Sequence, residues 1–121
     1  MSDAAASTGP DVRDVRSIPD GVELAIALPD TLAYFQGHFP GRPVLPGVVQ
    51  IDWAVSLADR YLGTAIGAAR NFQVKFRSII PPGGTITLVL RRAAGDRRLL
   101  FEFRRGEDVL SSGSVRLEDA A

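Results

Sequence analysis

Two residues of one short segment combine reactive side chains with unusual surroundings. His38 is the only histidine of the chain, and it lies in a stretch rich in proline and glycine, FQGHFPGRPVLPGVVQID, residues 35–52. Asp52 ends that stretch, within a run of apolar residues that predicts a helix. An imidazole exchanges a proton near neutral pH, and a carboxylate buried in an apolar helix costs several kcal/mol unless it has a partner. The two side chains therefore indicate a base and an acid at one site.

Each side chain also has a purely structural interpretation. A loop histidine commonly donates a hydrogen bond to a backbone carbonyl and does no chemistry. Ser56 follows Asp52 by four residues and so shares its helical face, where the hydroxyl offers the carboxylate a hydrogen bond. On the residues alone, a buried Asp52–Ser56 pair remains an alternative to catalysis.

The loop that joins the histidine to the helix supplies a third group. Pro40, Pro43 and Pro46 each fix φ at about −65° and restrict the preceding residue, so this loop is predicted to be rigid. Gly47 stands where the helix begins, and its backbone N–H, aided by the helix dipole, could face a polarised carbonyl without a Cβ in the way. A simple turn into the helix is the structural alternative. A base, an acid and an oxyanion donor around one apolar cleft are the groups that abstract a proton next to a carbonyl.

The composition limits the classes of protein. A chain of 121 residues predicts one domain, and we expect it over residues 13–121, after a disordered lead-in of residues 1–12. Fourteen basic and fourteen acidic residues balance, which disfavours a nucleic-acid or membrane partner. The absence of cysteine excludes disulfides, and a lone histidine disfavours a metal site. Without a signal-like or membrane-spanning segment, the sequence predicts a cytoplasmic protein.

The hydrophobic pattern predicts an α+β fold around these residues. Residues 21–29 alternate apolar and other side chains, as in a strand, and residues 47–62 are apolar on most sides, as in a buried helix that ends at Gly63. Four more strands are predicted at 69–80, 84–93, 97–105 and 108–119, separated by the hairpin-like turns PPGG, AGD and GED. We expect a curved antiparallel sheet of five strands round a central helix, and a homodimer that covers the sheet edge.

The segment GHFPGRPVLPGVVQID resembles the active-site segment of the FabA/FabZ-like 3-hydroxyacyl-[acyl-carrier-protein] dehydratases, which have the hot-dog fold. The aspartate stands at the family's acidic position, 14 residues beyond the histidine. The other matching residues are His38, Phe39, Pro40, Gly41, Pro43, Pro46 and Gly47. The stretch LPGVVQIDWA is similar to the compact dehydratases of aryl polyene pigment clusters, the ApeI-like branch. Ser56 departs from the pattern, because a glutamine often stands there.

The resemblance implies a function and a role for each site residue. It implies dehydration of a (3R)-3-hydroxyacyl thioester, carried by the phosphopantetheine of acyl carrier protein, to the trans-2-enoyl thioester, in fatty-acid or aryl-polyene biosynthesis. His38 would be catalytic, Asp52 would come from the other subunit of the dimer, the Gly47 amide would act on the thioester oxygen, and the Val44 carbonyl would orient the imidazole. Ser56, with the Phe-Pro-Gly residues 39–41, would support them. No cofactor or metal is implied.

Two alternatives to a dehydratase stay open. A hot-dog acyl thioesterase would use the same fold, with an acidic helix residue activating water. A non-catalytic subunit that binds acyl carrier protein, or completes a heterodimer, is the second. For the carrier protein, the basic residues Arg42, Arg70, Lys75 and Arg77 are candidate docking residues, with a solvated strand face as the alternative.

Overall fold

One helix and one sheet make up the structure, a computed structural model that describes residues 9–29, 31–32, 44–64, 72–93, 95 and 97–117. The elements are β1 (Asp11–Ile18), β2 (Gly21–Ala27), α1 (Gly47–Leu62), β3 (Phe72–Phe76), β4 (Thr85–Ala93), β5 (Arg98–Arg105) and β6 (Asp108–Arg116). The strands form one antiparallel sheet in the order β1-β2-β4-β5-β6-β3. No helix among the described residues is long and apolar enough to span a membrane.

The sheet follows from the alternation of apolar side chains, which places every second residue on one face. In β2 the residues Val22, Leu24 and Ile26 are buried while their neighbours are only partly covered. The register continues this face across the sheet, because Leu24 pairs with Leu88 of β4, and Leu88 pairs with Phe103 of β5. These rows form the core against which α1 packs.

The helix buries one side and ends where the sequence predicts. Trp53, Ala54, Leu57 and Ala58 are fully buried against the core. Gly63 has a φ of 63° in the left-handed region, and its amide donates to the Asp59 carbonyl, which terminates the helix. The predicted bounds of the helix, residues 47–62, are confirmed.

Most of the predicted strands are confirmed, with shorter bounds. The β4–β5 and β5–β6 pairings are antiparallel as expected, and the turn GED joins the second pair. Two residues of AGD, 94 and 96, lie outside the described residues. The turn PPGG does not close a hairpin, because β3 pairs with β6 at the end of the sheet while β4 pairs with β2 and β5. Local turn signals identify a change of direction but not which strand becomes the neighbour.

The sheet has six strands rather than the five predicted, because β1 was not expected. Asp11 and Val12, assigned by the sequence to the lead-in, lie in β1 and pair with β2. The segment DVRDVRSI is mostly charged or polar, and most of it is exposed. An edge strand of this kind is held mainly by its backbone hydrogen bonds to one neighbouring strand. Because few of its side chains are buried, its sequence shows only a weak hydrophobic pattern.

Candidate functional site

An apolar cleft of about 470 Å³ opens at the N-terminal end of α1. Residues 44–47, which lead into the helix, line one part of it, and residues 76–79, which follow from the end of β3, line another. Gln50 of α1 also contributes to the lining. The cleft is therefore built where the helix N-terminus meets the edge of the sheet, a place suited to an acyl chain with a polarised carbonyl at one end.

The amide of Gly47 is available at this cleft. The Pro46 carbonyl accepts hydrogen bonds from the amides of Val49 and Gln50, both at 3.1 Å, so the first intrahelical bonds begin after Gly47. Among the described residues, the Gly47 amide donates to no acceptor. A Cβ at this position would lie 2.6 Å from Cζ of Phe76, so the close approach of that ring requires glycine unless the ring moves.

Only part of the predicted site falls within the described residues. Val44 and Gly47 line the same cleft, as the resemblance implies. His38, Phe39, Pro40 and Gly41 lie outside the described residues. The structure thus places the predicted oxyanion donor beside an apolar cavity and leaves the base as a prediction.

The expectation of a buried Asp52 is wrong for the single chain. Asp52 is exposed, and it does not line the cleft of its own chain. It shares a helical face with Val48, four residues earlier, which is 72% exposed, and with the exposed Ser56. Trp53, an apolar neighbour that suggested burial, lies on the buried face of the helix and packs on the core, and Asp52 does not share that face.

The structural alternative, a hydrogen bond between the side chains of Asp52 and Ser56, is not observed. The Ser56 hydroxyl instead donates to the main-chain carbonyl of Asp52 at 2.7 Å, a side-chain-to-backbone bond within the helix. Within the part of the chain that the structure describes, the Asp52 carboxylate accepts no hydrogen bond and forms no ion pair. Among the described residues, the Asp52 carboxylate therefore has no structural partner.

Apolar side chains around the cleft remain uncovered. We call Val48, Phe72, Phe76 and Ile79 the β3 patch; all four are among the exposed large hydrophobic residues. Phe76 and Ile79 line the cleft, and Phe72 shares a face of β3 with Phe76. β3 itself ends the sheet, with β6 on one side and no partner strand among the described residues on the other.

Gln50 was missed by the sequence reasoning. Its side chain is only 3% exposed, and its amide donates to the Leu45 carbonyl at 3.0 Å and accepts from the Ser111 hydroxyl at 2.6 Å. In the sequence it is a polar residue inside an apolar run, which was the available signal. Because buried amides are almost always hydrogen-bonded, that position indicated a specific partner.

Comparison with known proteins assigns the family. The ApeI-like family model, described as ApeI dehydratase, matches residues 14–114, so the chain belongs to this family of dehydratases with the hot-dog fold. A chain of the dehydratase heterocomplex ApeI:P from Xenorhabdus doucetiae has a TM-score of 0.82 and 28% identity, over 93% of this chain and 100% of that chain. An uncharacterised protein from Erwinia carotovora subsp. atroseptica has a TM-score of 0.72 and 34% identity, over 92% of this chain and 97% of that chain.

Curated relatives match over a shorter segment. The 3-hydroxyacyl-[acyl-carrier-protein] dehydratase FabZ of Oenococcus oeni is 42% identical over 62 residues, which cover 46% of this chain and 45% of that protein. FabZ of Rickettsia canadensis is 38% identical over 60 residues, 43% of this chain and 42% of that protein. The alignments thus span less than half the length of these relatives. Mouse thioesterase superfamily member 2, at 13% identity and a TM-score of 0.66 over 89% of this chain and 83% of that chain, shares the fold alone.

Proposed function

We propose that the protein dehydrates a (3R)-3-hydroxyacyl thioester on acyl carrier protein to the trans-2-enoyl thioester. The observation that carries this proposal is the apolar cleft at the start of α1 in a chain of the ApeI-like dehydratase family. Beside the cleft lies the Gly47 amide, which has no acceptor among the described residues. The names of the FabZ relatives state the same reaction for those proteins. The reaction belongs to fatty-acid or aryl-polyene biosynthesis, and we place it in the cytoplasm.

The chemistry divides among three groups. The His38 imidazole takes the α-proton of the thioester, and the Gly47 amide stabilises the negative charge that develops on the thioester oxygen, worth about 3 to 4 kcal/mol for a well-placed donor. A proton passes from the carboxyl group of Asp52 to the departing β-hydroxyl, which leaves as water, and the proton taken by His38 then returns to Asp52. The Val44 carbonyl holds the imidazole in the required orientation. The substrate supplies all atoms of both products, and the proposed steps invoke no cofactor or metal.

The site requires a second subunit. Asp52 lies on an exposed face of α1, outside the cleft that its own chain forms, whereas Gly47 lines that cleft. A partner seated on the β3 patch would cover Val48 and bring its own Asp52 toward the cleft of the first subunit. We therefore propose a homodimer with two shared sites, each with His38 from one chain and Asp52 from the other.

A heteromeric assembly is the second candidate, favoured by one observation. The structurally similar chain from Xenorhabdus doucetiae belongs to a dehydratase heterocomplex. In such an assembly the β3 patch would receive a different hot-dog chain. The purified protein distinguishes the two cases, because a homodimer is active alone while an obligate heteromeric subunit gains activity only with its partner.

The acyl carrier protein is expected to dock beside the cleft. Lys75 and Arg77 are exposed, and Arg77 also lines the cleft, so a positive charge stands where the phosphopantetheine would enter. Carrier proteins are typically acidic around the attachment site, which favours this approach. The other two candidate docking residues, Arg42 and Arg70, lie outside the described residues.

One assay separates the proposed function from its alternatives. The purified chain is incubated with a carrier-bound 3-hydroxyacyl thioester, and the products are read by mass and by thiol release. The proposal predicts loss of water and an enoyl thioester. Release of free thiol would support a thioesterase instead, and an unchanged substrate from a folded dimer would support the non-catalytic subunit.

A further inference from the structure

The buried side chain of Gln50 connects parts of the cleft that lie far apart in the sequence. Its Nε2 donates to the Leu45 carbonyl at 3.0 Å, and its Oε1 accepts from the Ser111 hydroxyl at 2.6 Å. Ser111, in β6, has no exposed surface. Both ends of the amide are therefore hydrogen-bonded in buried surroundings. Such bonds are strong there, and they restrict the geometry of the groups that they join.

On the helix side, these bonds fix the backbone that leads into α1. The Leu45 amide donates to the Ile80 carbonyl at 2.8 Å, while its carbonyl accepts from Gln50. Leu45 is thus held at both backbone groups. It lies between Val44 and Pro46, two residues before Gly47, so its position determines where the Gly47 amide lies.

On the sheet side, β6 holds the other part of the cleft lining. The carbonyl of Leu110 accepts the amides of Arg77 at 2.9 Å and Ser78 at 3.0 Å. Leu110 directly precedes Ser111, so two adjacent residues of β6 connect to both parts of the lining. The Gln50 side chain is the link between β6 and residues 44–47.

We propose that Gln50 is a positioning residue of the dehydratase site. Through Leu45 and Ser111 it sets the separation between residues 44–47 and residues 76–79, and hence the position of the Gly47 amide relative to the thioester oxygen. This inference rests on the proposed function. Gln50 does not take part in the proton transfers, so its loss lowers the rate of the chemical step more than it weakens substrate binding.

A merely structural role would give different results. If Gln50 and Ser111 only stabilise the core, their replacement lowers the melting temperature and leaves turnover of the folded protein unchanged. A stability-matched control distinguishes the two roles. Two candidate controls, Leu88→Ala and Ile86→Val, shorten buried side chains of β4, and neither residue lines the cleft. The control chosen is the one whose melting temperature is nearer to that of Gln50→Met.

The experiment compares Gln50→Met, Ser111→Ala, the double variant and the control in the full-length chain. Gln50→Met keeps the side-chain length and removes both hydrogen bonds. Hydrogen exchange of the Leu45 amide reports the order of the segment without any substrate. Steady-state kinetics use the 3-hydroxybutanoyl thioester of N-acetylcysteamine, which bypasses carrier docking.

We expect Gln50→Met to speed exchange of the Leu45 amide and to lower kcat, each by about tenfold or more, with KM changed by less than about threefold. Ser111→Ala should act in the same direction, and the double variant should be no worse than Gln50→Met, because both substitutions break one link.

Unchanged Leu45 exchange, unchanged kcat, or equal changes in the control variant would overturn the positioning role. If the wild-type chain dehydrates neither this thioester nor a carrier-bound one, the proposed function fails. In that case exchange at Leu45 alone decides whether Gln50 holds the segment.

Discussion

At the scale of single residues, the proposed proton transfers belong to two side chains, His38 and Asp52. His38 is the one imidazole of the chain, and the prolines around it predict a rigid loop. Asp52 is exposed and makes no side-chain hydrogen bond within the described residues. Substitutions at these two positions should therefore separate activity from stability.

For His38→Ala, we predict complete loss of dehydration with the fold retained. The chain has no second imidazole that could replace His38 as the base. Enoyl formation is measured by mass, and thermal unfolding is measured in parallel. Turnover close to that of the wild type would contradict the assignment.

For Asp52→Asn, we predict near-complete loss of activity with a melting temperature equal to or above that of the wild type. The amide is nearly isosteric, but it cannot donate the proton that the leaving hydroxyl needs. Asp14→Asn, at another exposed aspartate on β1, is the matched control and should leave turnover unchanged. A strongly destabilised but active Asp52→Asn variant would show that this carboxylate is structural.

At the scale of elements, the start of α1 and the end of β3 build the cleft together. Gly47 begins the helix with an amide that has no acceptor in the described part of the chain, and the Phe76 ring occupies the space that a Cβ would take. The two elements are thus in contact at the point where the thioester oxygen is expected. A change in either element should alter the site without unfolding the protein.

For Gly47→Ala, we predict a decrease in kcat/KM of about tenfold or more, since a shifted oxyanion donor loses much of its stabilisation. The new Cβ would lie 2.6 Å from Phe76 Cζ, so the ring or the helix start must move. Alanine is a good helix residue, so the melting temperature should change little. Gly9→Ala, whose Cβ would meet nothing within 4 Å, is the matched control. Unchanged kcat/KM would argue against a role for the Gly47 amide.

For Arg77→Glu, we predict a raised KM for carrier-bound substrate, with a larger effect at low salt and no effect on a small thioester. Arg91→Glu reverses an exposed charge on β4 that does not line the cleft, and it should have no such effect. Equal changes for both substrates would exclude a docking role for Arg77.

The sequence predicted those elements whose pattern is local. The helix of residues 47–62 and the β4–β6 hairpins follow from apolar periodicity and short turns. The pairing of β3 with β6 depends on contacts distant in the sequence, and β1 carries too few apolar residues to be recognised. For the site, Gly47 and Val44 were found at the cleft, whereas the exposure of Asp52 depends on which helix face meets the sheet. That face could not be read from a helix apolar on most sides.

At the scale of the whole molecule, a single chain is an incomplete enzyme in this account. Gly47 lines its cleft, Asp52 lies outside that cleft, and the β3 patch exposes apolar side chains. The patch adjoins the outer edge of β3, with which no other described strand pairs. A second subunit would resolve all three features at once. The assembly and the catalytic mechanism are therefore tested together.

For Phe72→Asp, we predict a shift from dimer to monomer and a loss of activity that follows it. Phe72 is exposed on the terminal strand β3 and does not line the cleft, so the substitution leaves the lining intact. Light scattering gives the molar mass, and Leu100→Asp, at an exposed residue of β5, is the control. A Phe72→Asp variant that stays dimeric and active would exclude this surface as the interface.

The most direct test of the shared site is complementation between two inactive variants. His38→Ala and Asp52→Asn chains carrying different tags are co-expressed, and the mixed dimers are confirmed by tandem purification. In a mixed dimer one site carries both defects, while the other keeps an intact histidine and an intact aspartate. With random exchange half of the dimers are mixed, so the whole preparation should recover about a quarter of the wild-type sites. Confirmed mixed dimers that recover no dehydration would contradict the account.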